Sequence, residues 1–476
     1  MILYNDFMNN QSISSKAENI RDVLRYVKKF KAASVVIYID DRLLEQPLFT
    51  SHIRDIAMIH ETGIQVMIVP GARKRIDEVL EANKIQWKMK NGVRLTHHNA
   101  LPLIKMAAFD VANRIMTSLA GEGKTAVIGN WVRARSMGIL DGIDFSAAGD
   151  IDKIQTDAVR TILEDRFIPI FPCIGWSLAG KPYNISSVEL AAEIAQRLQA
   201  DKLFFLLPDG NINESNFIIP SHISRSPEQT IPALNIAEAQ ELLECNTCKD
   251  KADSTQSKVA LSQKKEVPDS EANLSQREKL LQLIQIGIRT CSNGVSRVHL
   301  LDGFVDGTIP CEIFSNLGCG TMIYQKDYGC IREMTTDDIP AVLNLIRPFV
   351  EEGILLPRTE QTLANTFSDY IVYELDDGIK GCAALHFYND YQSEIASVAV
   401  DPVCSHLGIG PKMMEHLLNK AELLQAKSVF ILTTRTADWF EMQGFFPDEI
   451  ATLPAKRKEQ WSPSRGSKLF RKKLKK

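Results

Sequence analysis

The stretch VAVDPVCSHLGIGPKMMEHLL, residues 398–418, decides what the C-terminal part of this chain must be. An apolar strand ends at Asp401–Pro402, and a short loop delivers Gly408-Ile409-Gly410 to the start of a helix. Glycines at such a junction let backbone N–H groups approach a ligand closely. The unpaired N–H groups and positive dipole end of the helix favour a pyrophosphate. Pro411 suits the first helical turn, where its missing N–H would be unpaired in any case. A lone Gly-x-Gly is a weak signal, so its surroundings carry the reading.

Outward from this junction, CIREMTTDDIPAVLNLI (330–346) reads as a strand followed by a helix capped by Thr335 or Thr336, with acids in its first turn. IVYELDDGIKGCAALHFY (371–388) reads as two strands turning at Asp376–Asp377–Gly378. EIASVAVDP (394–402) and SVFILTT (428–434) add two more strands, with helices expected at 411–425 and 437–443. This second unit begins near Tyr328–Gly329 and fills 329–476. Before it, apolar β-branched runs at 33–39, 64–70, 125–129, 167–171 and 202–207 alternate with helical stretches. These include one running to His60, one near 153–164 and one from 187. Such alternation predicts an α/β domain over 33–328 with a mainly parallel sheet covered by helices. Residues 245–275, rich in Ser, Lys, Asp and Glu, cannot bury enough surface to offset their ordering entropy and are expected as a mobile insertion. AENIRDVLRYVKKF (17–30) carries Ile20, Val23, Leu24 and Val27 at helical spacing, within a separate N-terminal segment (1–32) suited to an oligomer contact.

The 476 residues are too many for one ordinary domain, and 45% apolar with 24% charged residues is the balance of a soluble globular protein. A net charge of −4 gives no general pull toward nucleic acid or anionic membrane, and no apolar run approaches the ~20 residues that span a bilayer. MILYNDFMNNQSISS lacks the basic-then-apolar succession of a secretory leader. With nine scattered cysteines, the expected setting is the reducing cytoplasm. Cys245 and Cys248 have C-x-x-C spacing, but no second ligand pair follows, so no metal is expected. Gly123-Lys124-Thr125 mimics a nucleotide loop whose required earlier glycine is Ser118.

The 398–418 stretch resembles the acetyl-CoA motif of the GNAT acetyltransferases, Gln/Arg-x-x-Gly-x-Gly/Ala, with Ser405 in place of Gln or Arg. GILLPRT (353–359), GCAALHFY (381–388), LTTRTADWFEMQGF (432–445), LPAKRKEQW (453–461) and SRGSKLF (464–470) narrow the match. Together they look like the C-terminal domain of the N-acetylglutamate synthase family. The resemblance implies acetyl transfer from acetyl-CoA to the α-amine of L-glutamate, the first step of arginine biosynthesis. It implies a coenzyme cradle of Val398, Val400, Ser405, His406, Leu407, Gly408, Ile409 and Gly410. Arg358 and Arg465 would hold the substrate's carboxylates, a task suited to a planar guanidinium fork, with Leu356, Ser397 and Ser467 beside them. Glu394 matches the general base that must free the amine of its proton, and Thr433 a donor to the departing thiolate. Cys382 and Cys404 lack an evident histidine partner, so transfer is expected to be direct. The rest of the basic tail (Lys456, Arg457, Lys458, Arg471, Lys472, Lys473) reads as a solvated face.

Residues 33–328 resemble the amino-acid kinase family over GNWVRARSMGILDGIDF (129–145), FIPIFPCIGWSLAGKPYNI (167–185), LQADKLFFLLPDG (198–210) and VHLLDGFVDGTIPCEIFSNLGCGTMI (298–323). The Lys-x-Gly-Gly that cradles phosphates in active kinases is Tyr38-Ile39-Asp40-Asp41 here, Pro70-Gly71-Ala72-Arg73 follows the synthase pattern, and Val188 stands where a kinase carries its aspartate. Acetylglutamate kinase activity is therefore the weaker alternative, and a catalytically silent amino-acid sensor is another. The resemblance implies that this domain binds L-arginine near Glu312, Gly318 and Gly320, and that the protein is a homo-oligomer.

Overall fold

The computed structural model describes residues 21, 23, 24, 27, 28, 30–90, 93–95, 97–226, 229–257, 276–314, 318–325, 329–375, 378–402, 404 and 408–474, with side chains between 248 and 257 left out. The chain forms two compact units, Met1–Lys326 and Asp327–Lys476.

The N-terminal unit is built on an eight-stranded sheet. Its spatial order is Ala233–Asn235, Thr321–Tyr324, Arg297–Asp302, Lys202–Leu207, Ser34–Ile39, Gln65–Pro70, Ile168–Ile170 and Ala126–Ile128. Every pairing is parallel except Arg297–Asp302 with Thr321–Tyr324. The central strands SVVIYI and KLFFLL are buried nearly throughout because helices cover both faces, which is why they read as unbroken apolar runs. A second sheet of four short strands lies outside the periodicity read from sequence, and it claims residues assigned there to a helix. Gly149–Ile154 is a strand paired with Val132–Ser136, so the helix expected near 153–164 begins at Thr156. The expected insertion is also shorter than 245–275: the helix Ile236–Ser257 runs through its first half, and 258–275 lie outside the described residues. Of the N-terminal helix, Ile20 lies outside them, while Val23 and Leu24 are exposed.

Where kinases of this fold cradle phosphate, carboxylates stand instead. Asp41 is buried, and its Oδ2 accepts the backbone N–H of Arg75, 3.0 Å away, in the first turn of the helix Arg73–Ala82. Burial pushes its carboxyl up to about 6. Asp40 instead grips the Arg42 guanidinium at 2.7 Å through both oxygens.

The C-terminal unit is a seven-stranded sheet in the order Gly329–Glu333, Tyr370–Leu375, Gly378–Phe387, Gln392–Val400, Ser428–Thr433, Lys468–Lys473 and Phe446–Asp448. The turn residues Asp376 and Asp377 lie outside the described residues. All pairings are antiparallel except Gln392–Val400 with Ser428–Thr433. One core gathers Ile371, Leu385, Ile395 and Phe445 with Ile409, Met413 and Leu417 of the helix Ile409–Leu423. The other gathers Tyr370, Val372 and Ala384 with Ile339, Val342 and Ile346 of the helix Ile339–Glu351. Thr335 precedes that helix as expected, and Asp338 reaches back to accept its backbone N–H at 2.8 Å. Asp338 also receives both arms of Arg332 at 2.7 and 2.8 Å.

The Arg332 hydrogen bonds hold the Asp338 carboxyl down at about 2. A carboxylate depressed in the folded state adds stability that is complete above its unfolded pKa and lost as pH falls through the folded one. Asp338→Asn should therefore lower the stability of this unit by roughly 2 kcal/mol at neutral pH. In denaturant melts the difference from wild type should shrink as pH falls from about 5 toward 2.

Candidate active site

The only parallel pair among the described strands of the C-terminal unit is joined over three residues, Gln392, Ser393 and Glu394 facing Ser428, Val429 and Phe430. Beyond that point the strands run on to Val400 and Thr433 with ladder partners on their outer sides alone. A wedge opens between them, lined by inward-facing peptide N–H and C=O groups able to pair with an amide-bearing chain. Ser397 sharpens the divergence. Its φ is 52°, and the register with the neighbouring strand slips between Cys382 and Ala384, so the strand bulges there. The Tyr370 hydroxyl, 3.1 Å from Ser397 Oγ, braces the bulge.

Past the bulge, Val398 and Val400 are half-buried against the core, and Lys380 pairs with Asp401 at 3.2 Å where the strand ends. Ser405, His406 and Leu407 lie outside the described residues. The chain returns at Gly408 with φ 65°, a left-handed cap before the helix Ile409–Leu423 that glycine adopts without strain. Ile409 is buried, anchoring the first turn. At Gly410 a side chain would press on the Trp439 ring, 3.1 Å from an added Cβ. The open mouth of the wedge and the N-terminus of this helix thus belong to the same strand–loop–helix segment.

At the closed end of the wedge sits Glu394, buried to 4% exposure. Its Oε2 accepts the Tyr388 hydroxyl at 2.9 Å and Nε of Arg457 at 2.7 Å. Burial, then the adjacent Glu394 charge, pushes the Tyr388 phenol well above its ordinary range, so it stays a donor. Arg457 is 14% exposed and no part of a solvated face. Arg471 departs from that expectation too: it bonds Asp448, Gln392, Ser428 and Thr452 and lies over the Phe430 ring. Lys472 donates to the Gln443 carbonyl. A charge run in sequence does not reveal that Arg457 will meet Glu394, or that Arg471 lies on a strand flanked on both sides, between Ser428–Thr433 and Phe446–Asp448.

Arg358 and Arg465 are half-buried, and among the described residues neither has an ion-pair partner. Arg465 donates to the Ile354 carbonyl at 2.9 Å, tying the C-terminal tail to the segment that bears Leu356 and Arg358. Burial, followed by the like charges of Arg358 and Arg457, holds the Arg465 guanidinium below its ordinary pKa. Three guanidiniums thus share one neighbourhood in which Glu394 answers only Arg457. Leu356 is 47% exposed beside them. Ser467 is buried and accepts the Trp461 indole N–H at 3.2 Å, and Trp461 packs with Phe430, Leu453, Leu469 and Tyr388 into a small apolar floor. Thr433 ends the second strand of the wedge. Its Oγ1 accepts the Thr436 N–H at 3.1 Å and lies 2.8 Å from the Thr436 hydroxyl. With Thr436 as donor to it, the Thr433 proton is free for a ligand.

In the N-terminal unit, the fold brings Glu312, Gly318 and Gly320 together. Gly320 N–H donates to Glu312 Oε2 at 3.1 Å, and any side chain on Gly318 would collide with the same carboxylate. His299 Nδ1 lies 2.6 Å from Oε1. Burial pushes His299 down to about 4, so it is neutral at physiological pH and donates from Nδ1. Burial would raise the Glu312 carboxyl, but the His299 and Gly320 hydrogen bonds outweigh it and keep it ionised. His299 signals itself in the sequence only as one more residue of a buried strand.

Two family models match the chain, one in each unit. The amino acid kinase family matches residues 12–209 and the GNAT acetyltransferase family residues 339–445. The amino-acid acetyltransferase of Pasteurella multocida is 31% identical over 94% of both chains. The chain belongs to the amino-acid acetyltransferase family. A relative from Shewanella oneidensis is 29% identical over 95% of this chain and 96% of its own. Among solved structures, N-acetylglutamate synthase of Neisseria gonorrhoeae with coenzyme A and L-arginine is similar at a TM-score of 0.74 and 29% identity, covering 97% of this chain and 99% of that one. The same synthase with coenzyme A and N-acetyl-glutamate gives a TM-score of 0.57. Membership of this family fixes the reaction class, and the α/β fold and GNAT unit expected from sequence are those observed. No helix among the described residues is long and apolar enough to cross a membrane.

The Arg457–Glu394 pair supplies a test of the site's energetics. Removing one member of a buried ion pair strands the other charge, so Arg457→Met should cost about 3–5 kcal/mol in stability. Pairing it with Glu394→Gln should recover most of that loss in chemical denaturation.

Proposed function

We propose that this protein acetylates the α-amino group of L-glutamate with acetyl-CoA in the cytoplasm, through the residues assembled around the strand wedge. The observation that carries the reading is the pair Arg358 and Arg465, half-buried cations without carboxylate partners among the described residues, beside Glu394. Two forks suit two carboxylates, and an acidic amino acid has two. Its ammonium is then drawn toward the Glu394 carboxylate. The wedge gives the amide-bearing arm of the coenzyme peptide groups to pair with, and the Gly408–Gly410 helix terminus suits its diphosphate.

The amine, once deprotonated, attacks the thioester carbonyl. The C–N bond forms, the C–S bond breaks, and the thiolate takes a proton or hydrogen bond from Thr433. Two buried cysteines flank the wedge, and desolvation pushes the Cys382 thiol up to about 12, which supports direct transfer over an acyl-enzyme. In the N-terminal unit, the ionised Glu312 beside two glycines suits the guanidinium of L-arginine, an effector of the acetyltransferase. An N-terminal helix with exposed Val23 and Leu24 supports a homo-oligomer.

Thiol release from acetyl-CoA should depend on glutamate. Replacing Arg358 and Arg465 with lysine, singly, should raise KM for glutamate at least ~10-fold, the loss of one bidentate contact worth about 1.5–3 kcal/mol, while KM for acetyl-CoA stays put. Unchanged glutamate KM in both variants would sink the assignment. For the effector, L-arginine should raise the melting temperature of wild type and not of Glu312→Gln, with the acetyl-CoA response intact in both.

A further inference from the structure

The strand next to Glu394 carries a histidine, paired with an aspartate from another segment, that the reaction described above does not use. His386 and Glu394 are direct partners in the antiparallel register of Gly378–Phe387 with Gln392–Val400. Residues paired in this way project to the same face of the sheet, with Cβ atoms about 5 Å apart. His386 Nδ1 lies 2.8 Å from Asp369 Oδ2, in the turn that leads into the strand Tyr370–Leu375. The Tyr370 ring stands edge-on to the imidazole at 6.3 Å, and its hydroxyl is the one bracing Ser397 at the bulge. The His386 side chain is 24% exposed, between the buried Glu394 and solvent.

The chemistry leaves a need that this pair fits. An α-ammonium must lose a proton before it attacks, and that proton must leave the site each turnover. Glu394 is already engaged, because Tyr388 and Arg457 both donate to its Oε2. His386 has a single carboxylate partner, Asp369. An Nδ1–H donated to Asp369 leaves Nε2 as the basic nitrogen, and the carboxylate steadies the imidazolium that forms. The groups facing the imidazole are Asp369 and Tyr370 from one side and Glu394, with its partners Tyr388 and Arg457, from the other.

We propose that His386, oriented by Asp369, is the proton acceptor that completes acetyl transfer. The proton leaves the substrate ammonium on the Glu394 side, passes to His386 Nε2 through water, and goes from the imidazolium to solvent. The neutral amine then forms the C–N bond as the C–S bond breaks, so each cycle delivers one proton to solvent through this route. The proposal rests on the acetyltransferase reading above.

The test is the pH profile of kcat/KM for glutamate, read as thiol release from acetyl-CoA in the full chain. Wild type should lose activity on the acid side of the profile, where the acceptor is already protonated. His386→Gln should lower kcat by about 10²-fold or more and abolish that acid limb, while keeping the wild-type thermal shift with acetyl-CoA. Imidazole added to the buffer should restore part of the rate to His386→Ala. Asp369→Asn should move the limb to lower pH, because the imidazolium loses its counter-charge; this variant decides the matter if the histidine variants do not fold. A His386→Gln enzyme with wild-type kcat, or an Asp369→Asn limb at the wild-type position, overturns the proposal. Absence of glutamate-dependent thiol release in wild type would instead overturn the acetyltransferase reading itself.

Discussion

Two parallel strands that begin paired and then part create the space on which the C-terminal unit's chemistry depends. Joined at Gln392–Glu394 and Ser428–Phe430, they cannot stay joined, because Ser397 takes a left-handed backbone and adds a residue to one of them. The bulge turns ladder groups into free groups, and free peptide groups inside a protein are costly unless a partner arrives. The wedge is therefore a constraint with a purpose. It is stable because both outer edges are paired except at the bulge around Ser397 and Val398, and its inner edges are left for something shaped like a peptide. Glu394 occupies the last paired position, at the vertex.

The vertex explains the charges around it. A buried carboxylate needs compensation, and Arg457 with Tyr388 provides it on one oxygen. Among the described residues Arg358 and Arg465 receive no such compensation, and the charge of Arg358 adds to the cost of holding Arg465 charged. Like charges held together without counter-ions are a stored demand for anionic ligand. On the reading proposed above, two planar forks meet two carboxylates, which distinguishes an amino diacid from a neutral amino acid more sharply than pocket size would.

How much of this was legible beforehand differs residue by residue. Gly408 and Gly410 announced the helix terminus because only local backbone geometry was involved. Arg358 and Arg465 stood out through the company they keep in short motifs, and the structure leaves both half-buried. The burial of Arg457 and Arg471 was not legible, because it is decided by partners distant in sequence, Glu394 for the first and Asp448, Gln392 and Ser428 for the second, and nothing in KRK or RKKLKK encodes that. The same blindness hid the end of the strand Gly149–Ile154, because Lys153 and Ile154 run almost directly into the helix that begins at Thr156 and only the partner Val132–Ser136 separates the two. It also overextended the insertion, since the polar residues after Cys245 suit an exposed helix as well as they suit a coil. His386 escaped notice for a further reason: its partner Asp369 is seventeen residues away in sequence and meets it only through strand pairing.

The N-terminal unit shows what remains when a fold keeps its shape and changes its charges. The helix N-terminus at Arg73–Ala82 is the place where an anion would be stabilised by the dipole and by unpaired amides. Asp41 already fills that role with its own carboxylate, and Asp40 neutralises the nearest guanidinium, Arg42. A phosphate entering there would meet two negative charges instead of a lysine. At the far end of the sheet, Glu312 holds its charge in a buried place through neutral His299 and the Gly320 amide. A buried carboxylate kept ionised by neutral donors retains its full field for a cation. That is what makes this place, unlike the first, suited to the cationic effector proposed above.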